Sequence, residues 1–153
     1  MGESGPTIFW EDFPVGKVRE TASATITREE VVAFGRQFDP QPFHVDEAAA
    51  ARSRYGGLIA SGWHTCSLAM RLYYDAVLRH AASQGSPGLE QVRWLLPVRP
   101  GDVLRVRVEV LEARPSGSKP ELGLVRSRWR MLNQRDEAVM EMEGWGMFRR
   151  RSA

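Results

Sequence analysis

Residues 61–80 read "SGWHTCSLAMRLYYDAVLRH" and form the longest helical pattern in the chain. Apolar residues recur there at steps of three and four, which predicts a helix from Ser61 to about Ala82. The residues that follow this spacing are Trp63, Cys66, Ala69, Met70, Tyr73, Val77 and His80, with Leu68, Leu72 and Ala76 beside them. An apolar surface this broad indicates a helix that is enclosed by other structure.

The second half of the chain has the composition of β-strands. Four apolar runs, separated by turn-forming Pro, Gly, Ser, Asn and Asp, cover residues 92–98, 102–113, 122–132 and 137–148. In "DVLRVRVEVLEA" every second residue from Leu104 to Val110 is apolar and the residues between are charged, as in a sheet with one solvated face. Long strands after a long helix predict an α+β fold, in which an antiparallel sheet is covered by the helix.

The first part of the chain predicts smaller elements. "KVRETASATIT", residues 17–27, alternates as a strand does. Thr27 and Glu30 have the spacing of a capping box, so a helix is expected to begin there and to end before Pro40. Asp46 is expected to cap a second short helix, which a pair of glycines ends.

Composition narrows the class of protein. The 153 residues fit one domain, at 42% hydrophobic and 26% charged. The net charge is only +2, and the terminal "RRR" accounts for that excess, so no nucleic-acid partner is expected. The single cysteine, Cys66, cannot form an internal disulfide, and no run of about 18 apolar residues could span a bilayer. These features predict a cytoplasmic protein with no membrane partner.

The stretch "FGRQFDPQPFHVDE", residues 34–47, carries the first candidate for chemistry. Two prolines lie between Asp39 and His44, and they are expected to exclude helix and to hold both residues on a stiff loop. A carboxylate and an imidazole placed together could hold and deprotonate a water molecule. The alternative is structural, with Asp39 capping a turn and His44 packing between loops.

The pKa of Asp39 is part of the catalytic interpretation. Its ordinary value of about 3.9 makes it a weak base. Burial against Phe38 and Phe43 is expected to raise that pKa and so to improve Asp39 as a proton acceptor.

The second candidate is "GGLIASGWHT", residues 56–65, where a glycine-flanked segment leads into the long helix. Gly62 would let a ligand approach the helix N-terminus, whose free N–H groups and dipole could stabilise an oxyanion such as that of a thioester carbonyl. The alternative is that Ser61 is an ordinary N-cap and Gly62 only permits close packing. Three scattered histidines, among them His64, predict no zinc site, and no nucleotide-binding or α/β-hydrolase motif is present.

Taken together, "FDPQPFHVDEAAAA", "GGLIASGWHT" and "LLPVRPGDVLRVRVEV" resemble the MaoC-like acyl dehydratases, the family of the (R)-specific enoyl-CoA hydratases. The resemblance covers the chain from about Phe9 to Phe148. It implies a single hot-dog fold over residues 8–148. The small, polar residues 1–7 are expected to form a flexible N-terminus, and residues 149–153 form a basic tail. It also implies a homodimer or a dimer of such dimers, and a role in fatty acid metabolism.

The resemblance further implies roles for individual residues. Asp39 and His44 match the catalytic pair that activates water, and Gly62 matches the glycine whose N–H polarises the thioester carbonyl. Many relatives have histidine where this chain has Ser61, and the bulky Trp63 follows the glycine. Both are therefore expected to affect substrate binding, with Trp63 either narrowing the acyl pocket or facing the sheet.

The expected reaction is reversible hydration of a trans-2-enoyl thioester to a 3-hydroxyacyl thioester. The partner is an acyl-CoA or acyl-carrier substrate, and no cofactor or metal is needed because CoA is part of the substrate. Arginines 52, 54, 93 and 99 are available for its phosphates, although each could equally be a solvated surface residue. Two alternatives remain: a hot-dog acyl-CoA thioesterase, or a non-catalytic acyl-CoA-binding subunit of the same fold.

Overall fold

The computed structural model describes residues 4–152 of the chain. Its α-helices are α1 (Arg28–Phe38), α2 (Pro42–Val45), α3 (Glu47–Arg52) and α4 (Gly62–Ala76), and short 3-10 turns occupy Trp10–Asp12 and Leu78–His80. Its strands are β1 (Val18–Glu20), β2 (Ala24–Thr25), β3 (Gly88–Trp94), β4 (Val103–Pro115), β5 (Leu122–Leu132) and β6 (Ala138–Arg149).

All strand pairings in the sheet are antiparallel. The order is β1-β4-β5-β6-β3, and β2 pairs with the other end of β4. Helix α4 packs against the inner face of this sheet, where the ring centroids of Tyr73 and Trp129 are 4.4 Å apart. The arrangement is a hot-dog fold of α+β class, as the sequence predicted.

The alternating pattern of β4 is confirmed. Leu104, Val106, Val108 and Val110 are buried in the core. The charged residues between them are on the other face of the strand, where Arg107 and Glu109 pair with Arg130 and Arg128 of β5. The capping box is confirmed as well: the Thr27 hydroxyl accepts from the Glu30 N–H at 3.1 Å, and the Glu30 carboxylate accepts from the Thr27 N–H at 3.2 Å.

Three predicted boundaries were wrong. Helix α4 ends at Ala76 instead of Ala82, because the following turn redirects the chain and the Ala82 N–H donates to the Ile8 carbonyl at 2.8 Å. The strand predicted at 92–98 lies at 88–94, where its pairing with β6 places it. The strand predicted at 17–27 is two short strands, β1 and β2, and residues 21–23 between them belong to neither strand.

The prediction that the two prolines exclude helix was also wrong. Pro42 is the first residue of α2. Proline suits this position, since a first-turn N–H has no partner within the helix and the fixed φ of the ring is already helical. His44 therefore lies on a helical turn, and only Asp39 lies in the connection before it.

Both chain ends contact the domain in the part that the structure describes. The Thr7 N–H donates to the His80 carbonyl at 2.8 Å, and the Arg151 guanidinium pairs with Asp12 at 2.7 Å. Residues 1–3 and 153, which the predicted flexible N-terminus and basic tail include, lie outside the described residues. Within residues 4–152 every helix is too short or too polar to cross a membrane.

Candidate active site

Asp39 terminates helix α1. Its backbone N–H donates to the Gly35 carbonyl at 2.8 Å, while its own φ of −150° has already left the helical region. Pro40 follows directly and disfavours a further helical residue. The aspartate side chain is therefore presented at a fixed helix end, with 18% of its surface exposed.

His44 is buried and bonded at both ring nitrogens. Its Nδ1 lies 2.7 Å from the Ile59 carbonyl oxygen, and its Nε2 lies 3.1 Å from Asp39 Oδ2. A carbonyl oxygen only accepts, so Nδ1 carries a proton and Nε2 is left facing the Asp39 carboxylate. The pair is thus built to accept and return a single proton.

The Asp39 carboxylate accepts two additional hydrogen bonds. Gln41 Nε2 donates to Oδ1 at 2.8 Å, and the Ser61 hydroxyl donates to Oδ2 at 2.7 Å. Burial acts to raise the pKa of Asp39, but these two donors and the charge of His44 outweigh it, and the pKa is lowered. The expectation of a raised pKa was wrong, because Phe38 is 65% exposed and the carboxylate is surrounded by donors.

Ser61 connects the pair to helix α4. Its side chain is fully buried, and besides donating to Asp39 its oxygen accepts from the Trp63 N–H at 3.3 Å as the helix N-cap. Gly62 comes next as the first residue of α4, and its N–H has no acceptor among the described residues. The hydroxyl of Ser61 therefore brings a proton-handling pair beside a free amide at the positive end of a helix.

An open cleft of about 510 Å³ lies over these groups. Asp39, His44 and Gly62 contribute to its lining, and the indoles of Trp63 and Trp94 form one wall. Trp63 is 61% exposed, so it faces the cleft and solvent, and it meets the sheet only edge-on at Trp94 in the described structure. The cleft has room for a ligand in contact with both the pair and the free amide.

The family model described as "MaoC like domain" matches residues 12–126. The chain belongs to the MaoC-like dehydratase family. A MaoC-like dehydratase from Rhodospirillum rubrum superposes with a TM-score of 0.85 at 38% identity, over 96% of this chain and all of that one. The (R)-hydratase PhaJ1 of Pseudomonas aeruginosa superposes with a TM-score of 0.76 at 25% identity, over 95% of this chain and 88% of that one.

One relative is similar in sequence and carries a named activity. The 3-hydroxybutyryl-CoA dehydratase of Methylorubrum extorquens is 33% identical over 118 residues, which is 75% of this chain and 71% of the relative. The family thus includes dehydratases and hydratases, two directions of one type of reaction.

Several cleft residues of this MaoC-like domain escaped the sequence reasoning. Gln41 lies between the two prolines, and a polar side chain on so rigid a segment could have been predicted as a site residue. Tyr55 packs edge-on against Phe43, with ring centroids 5.2 Å apart. Trp94 had no local signal, because its contact with Gly62 joins residues 32 positions apart.

The four arginines that the sequence offered for the CoA phosphates differ in their positions in this MaoC-like domain. Arg99 donates to the Tyr55 carbonyl and so connects the segment after β3 to the segment after α3. Arg54 lines the cleft and lies over the Tyr55 ring, 5.3 Å from its centroid. Arg52 and Arg93 are exposed. Of the four arginines, Arg54 is the one in the cleft itself.

His64 is the other buried imidazole near the cleft. It stacks on Phe34 with the rings 4.7 Å apart and nearly parallel, and burial lowers its pKa. The charge of Glu30 opposes that shift and is outweighed. Among residues 4–152, no cluster of three His, Cys, Asp or Glu side chains could hold a metal ion.

Proposed function

We propose that this chain catalyses the reversible hydration of a trans-2-enoyl thioester to a 3-hydroxyacyl thioester. The observation that carries the proposal is the 2.7 Å hydrogen bond from Ser61 to Asp39, since it places the Asp39–His44 pair beside the free Gly62 amide. Water activation and carbonyl polarisation both require such neighbours. The dehydratase and hydratase names of the relatives support the same reaction class.

Each step of the reaction has a group to perform it. Water held by Asp39 and His44 transfers a proton to the pair while its oxygen bonds to C3 of the substrate. The electrons of the C2–C3 double bond shift towards the thioester, and the Gly62 N–H stabilises the resulting enolate oxygen. The pair then returns one proton to C2, so that one water is added and the pair recovers its starting state.

The lowered pKa of Asp39 fits this use of the pair. A carboxylate that is ionised at neutral pH keeps the water oriented and stabilises positive charge on His44 when the imidazole holds the transferred proton. Ser61 and Gln41 fix the carboxylate without contacting the reacting carbons, so their proposed role is positioning. A catalytic group displaced by about 1 Å can lose on the order of a hundredfold in rate.

The test follows the loss of the conjugated enoyl-thioester absorbance with crotonyl-CoA. Asp39→Asn and His44→Ala are each expected to lower kcat/KM at least about 100-fold, since acid–base groups contribute about 10²–10⁴. Asp75→Asn, on the exposed side of α4, is the matched control and is expected to retain full activity.

The products distinguish the proposal from its alternatives. A 3-hydroxyacyl-CoA product with no release of CoA supports hydration, whereas free CoA from a saturated acyl-CoA indicates a thioesterase. Binding of acyl-CoA without turnover of any enoyl-CoA in a broad panel would contradict catalysis and favour a binding subunit.

We also propose that the domain acts as a homodimer. Strand β3 is the edge of the sheet, and an exposed apolar surface adjoins it that includes Leu89 and Trp94 from β3 and Met70 and Tyr74 from α4. An unpaired edge strand beside such an apolar surface is usually covered by another chain or element. Antiparallel pairing of two β3 strands is compatible with the two-fold symmetry of a homodimer. A second copy of this chain is therefore the proposed partner.

Sedimentation velocity tests the assembly. The wild type is expected to sediment as a dimer, and Tyr74→Lys, which places a charge in the exposed patch, is expected to shift it towards monomer. A monomeric wild type at micromolar concentration would contradict the homodimer.

A further inference from the structure

A second cavity lies farther along helix α4 than the catalytic cleft. This inner cavity of about 300 Å³ is bounded by Met70 and Tyr73 of the helix, Leu89 of β3, Trp129 of β5 and Met142 of β6. Its lining is mainly apolar side chains, and it includes neither Asp39 nor His44. From Gly62 to Met70 the helix rises about 12 Å, so the inner cavity is about that far from the proposed oxyanion donor.

The register of β3 and β6 identifies what separates the two spaces. Trp94 pairs with Met140 and Val92 pairs with Met142, so these residues form successive rows on the helix-facing side of the sheet. Trp94 lines the cleft, whereas Met142 lines the inner cavity. The row formed by Trp94 and Met140 therefore lies between them.

The facing turn of α4 closes the same position from the other side. Cys66 lies one turn beyond Gly62, and its Sγ is 3.4 Å from Met140 Sδ. The indole of Trp94 packs directly on Gly62, where a Cβ atom would be only 2.4 Å from the ring. Trp94, Cys66 and Met140 together form a wall across the groove between helix and sheet.

Trp94 is held in this position by specific contacts. Its Nε1 donates to the Gly62 carbonyl at 3.0 Å, and its ring meets Trp63 edge-on with centroids 5.4 Å apart. These contacts fix both the distance of the indole from the helix and the tilt of its plane. One side of the indole is therefore held against helix α4, while 46% of the residue remains exposed.

We propose that Trp94 is a specificity-determining residue that limits the substrate to short acyl groups by separating the cleft from the inner cavity. The inference rests on the proposed hydration of an enoyl thioester. The carbonyl of the substrate lies at Gly62, so the acyl chain extends from the place where the indole stands. Without the indole, a longer chain would pass along α4 into a space whose apolar side chains suit methylene groups.

Three variants separate the wall from other effects of the residue. Trp94→Ala removes the wall, and Trp94→Phe retains an aromatic ring but loses the N–H donor. Val125→Ala, at a buried residue that lines the inner cavity, enlarges that cavity without altering the wall. Each is assayed with crotonyl-CoA and with trans-2-dodecenoyl-CoA, and the ratio of the two kcat/KM values is compared with that of the wild type.

The wild type is expected to prefer crotonyl-CoA. Trp94→Ala is expected to raise the dodecenoyl-to-crotonyl ratio at least about tenfold, which corresponds to the burial of about two methylene groups. Trp94→Phe and Val125→Ala are expected to leave the ratio within about threefold of wild type, which is well below the effect of burying two methylene groups. An equal rise in Trp94→Phe and Trp94→Ala would overturn the proposal, because the lost hydrogen bond would then be the cause.

Binding of saturated analogues tests the wall without turnover. Dodecanoyl-CoA and butanoyl-CoA are titrated calorimetrically into the wild type and Trp94→Ala. A selective gain of at least about tenfold in dodecanoyl-CoA affinity supports the wall even if no substrate is hydrated, in which case only the proposed function fails. A wild type that hydrates or binds the long chain as well as the short one overturns the wall and leaves the hydratase intact.

Discussion

Replacing Gly62 by alanine tests the packing at the start of helix α4, because two effects oppose each other there. Alanine favours a helical residue by up to about 1 kcal/mol relative to glycine. The new Cβ atom, however, would lie 2.4 Å from Trp94 Cε2, where an ordinary carbon contact is about 3.5 Å or more. The indole would have to move by about 1 Å, against its hydrogen bond to the Gly62 carbonyl and its contact with Trp63.

The magnitudes favour destabilisation. Overpacking of a tight contact costs about 1–3 kcal/mol, and a lost hydrogen bond costs about 1 kcal/mol. Taking the middle of these ranges and subtracting the helix gain leaves about 2 kcal/mol of lost stability. For a chain of 153 residues that corresponds to a melting temperature lower by about 4–8 °C.

A double-mutant cycle with Trp94→Ala identifies the cause. In that background the ring is absent, so Gly62→Ala is expected to be neutral or stabilising by up to about 1 kcal/mol, which makes the coupling about 2–3 kcal/mol. Chemical denaturation followed by circular dichroism measures all four proteins. Gly117→Ala is the control, since its added Cβ meets nothing within 4 Å. Equal destabilisation of both backgrounds by Gly62→Ala would refute the contact argument.

Three further substitutions test the site and its supports. Ser61→Ala is expected to lower the free energy of unfolding by about 1–3 kcal/mol, because the helix N-cap and the hydrogen bond to a charged carboxylate are lost; thermal unfolding measures this. It is also expected to move the acid limb of the pH–rate profile to higher pH, because the pKa of Asp39 rises towards its ordinary value. Gly35→Ala is expected to lower kcat strongly while changing the melting temperature little, because the added Cβ would lie 3.0 Å from the Cβ of His44 and displace the imidazole. Steady-state kinetics and thermal unfolding measure the two effects. Above about pH 10 tyrosine ionises in the unfolded chain, whereas burial raises the pKa of native Tyr73 to about 12, so the wild type is expected to lose about 1.4 kcal/mol of stability per pH unit. Tyr73→Phe is expected to remove this loss, and denaturant titrations from about pH 9 to 11 measure the slope.

The sign of the pH effects follows from which state holds the proton. The folded-state pKa of Asp39 is lowered, so its contribution to stability is present above the unfolded value of about 3.9 and is lost as the pH falls through the lower folded value. The folded-state pKa of Tyr73 is raised, so its contribution is complete below about pH 10 and is lost as the pH rises towards 12. The two side chains therefore narrow the range of stability from opposite ends.

The elements that the sequence predicted correctly depend on short-range chemistry. The capping box of Thr27 and Glu30 and the alternation from Leu104 to Val110 involve residues a few positions apart, and both are present. The end of α4 and the register of β3 depend instead on distant partners, Ile8 and strand β6, and both were misplaced by several residues. The helical turn of His44 was missed for a different reason, since Pro42 was interpreted as a helix breaker when it begins the helix.

The candidate site shows the same division. The pairing of Asp39 with His44 was predicted from a stiff segment of six residues, and the structure brings the two to 3.1 Å. The direction of the Asp39 pKa shift was predicted wrongly, because the Ser61 hydroxyl that contributes to lowering this pKa lies 22 positions away in the sequence. Trp94, which the sequence did not single out, packs on Gly62, because only the folded sheet brings residue 94 to the helix.

Helix α4 connects the chemistry to the proposed selectivity through consecutive residues. Ser61 orients the Asp39 carboxylate, Gly62 offers the free amide, and the lack of a side chain at Gly62 is also what lets Trp94 approach. A larger residue at position 62 is therefore expected to disturb both the proposed carbonyl polarisation and the proposed limit on acyl-chain length. Trp94, by contrast, makes no hydrogen bond to Asp39 or His44 among the described residues, so a change there is expected to alter the proposed limit on acyl-chain length and to leave the proton-handling pair in place.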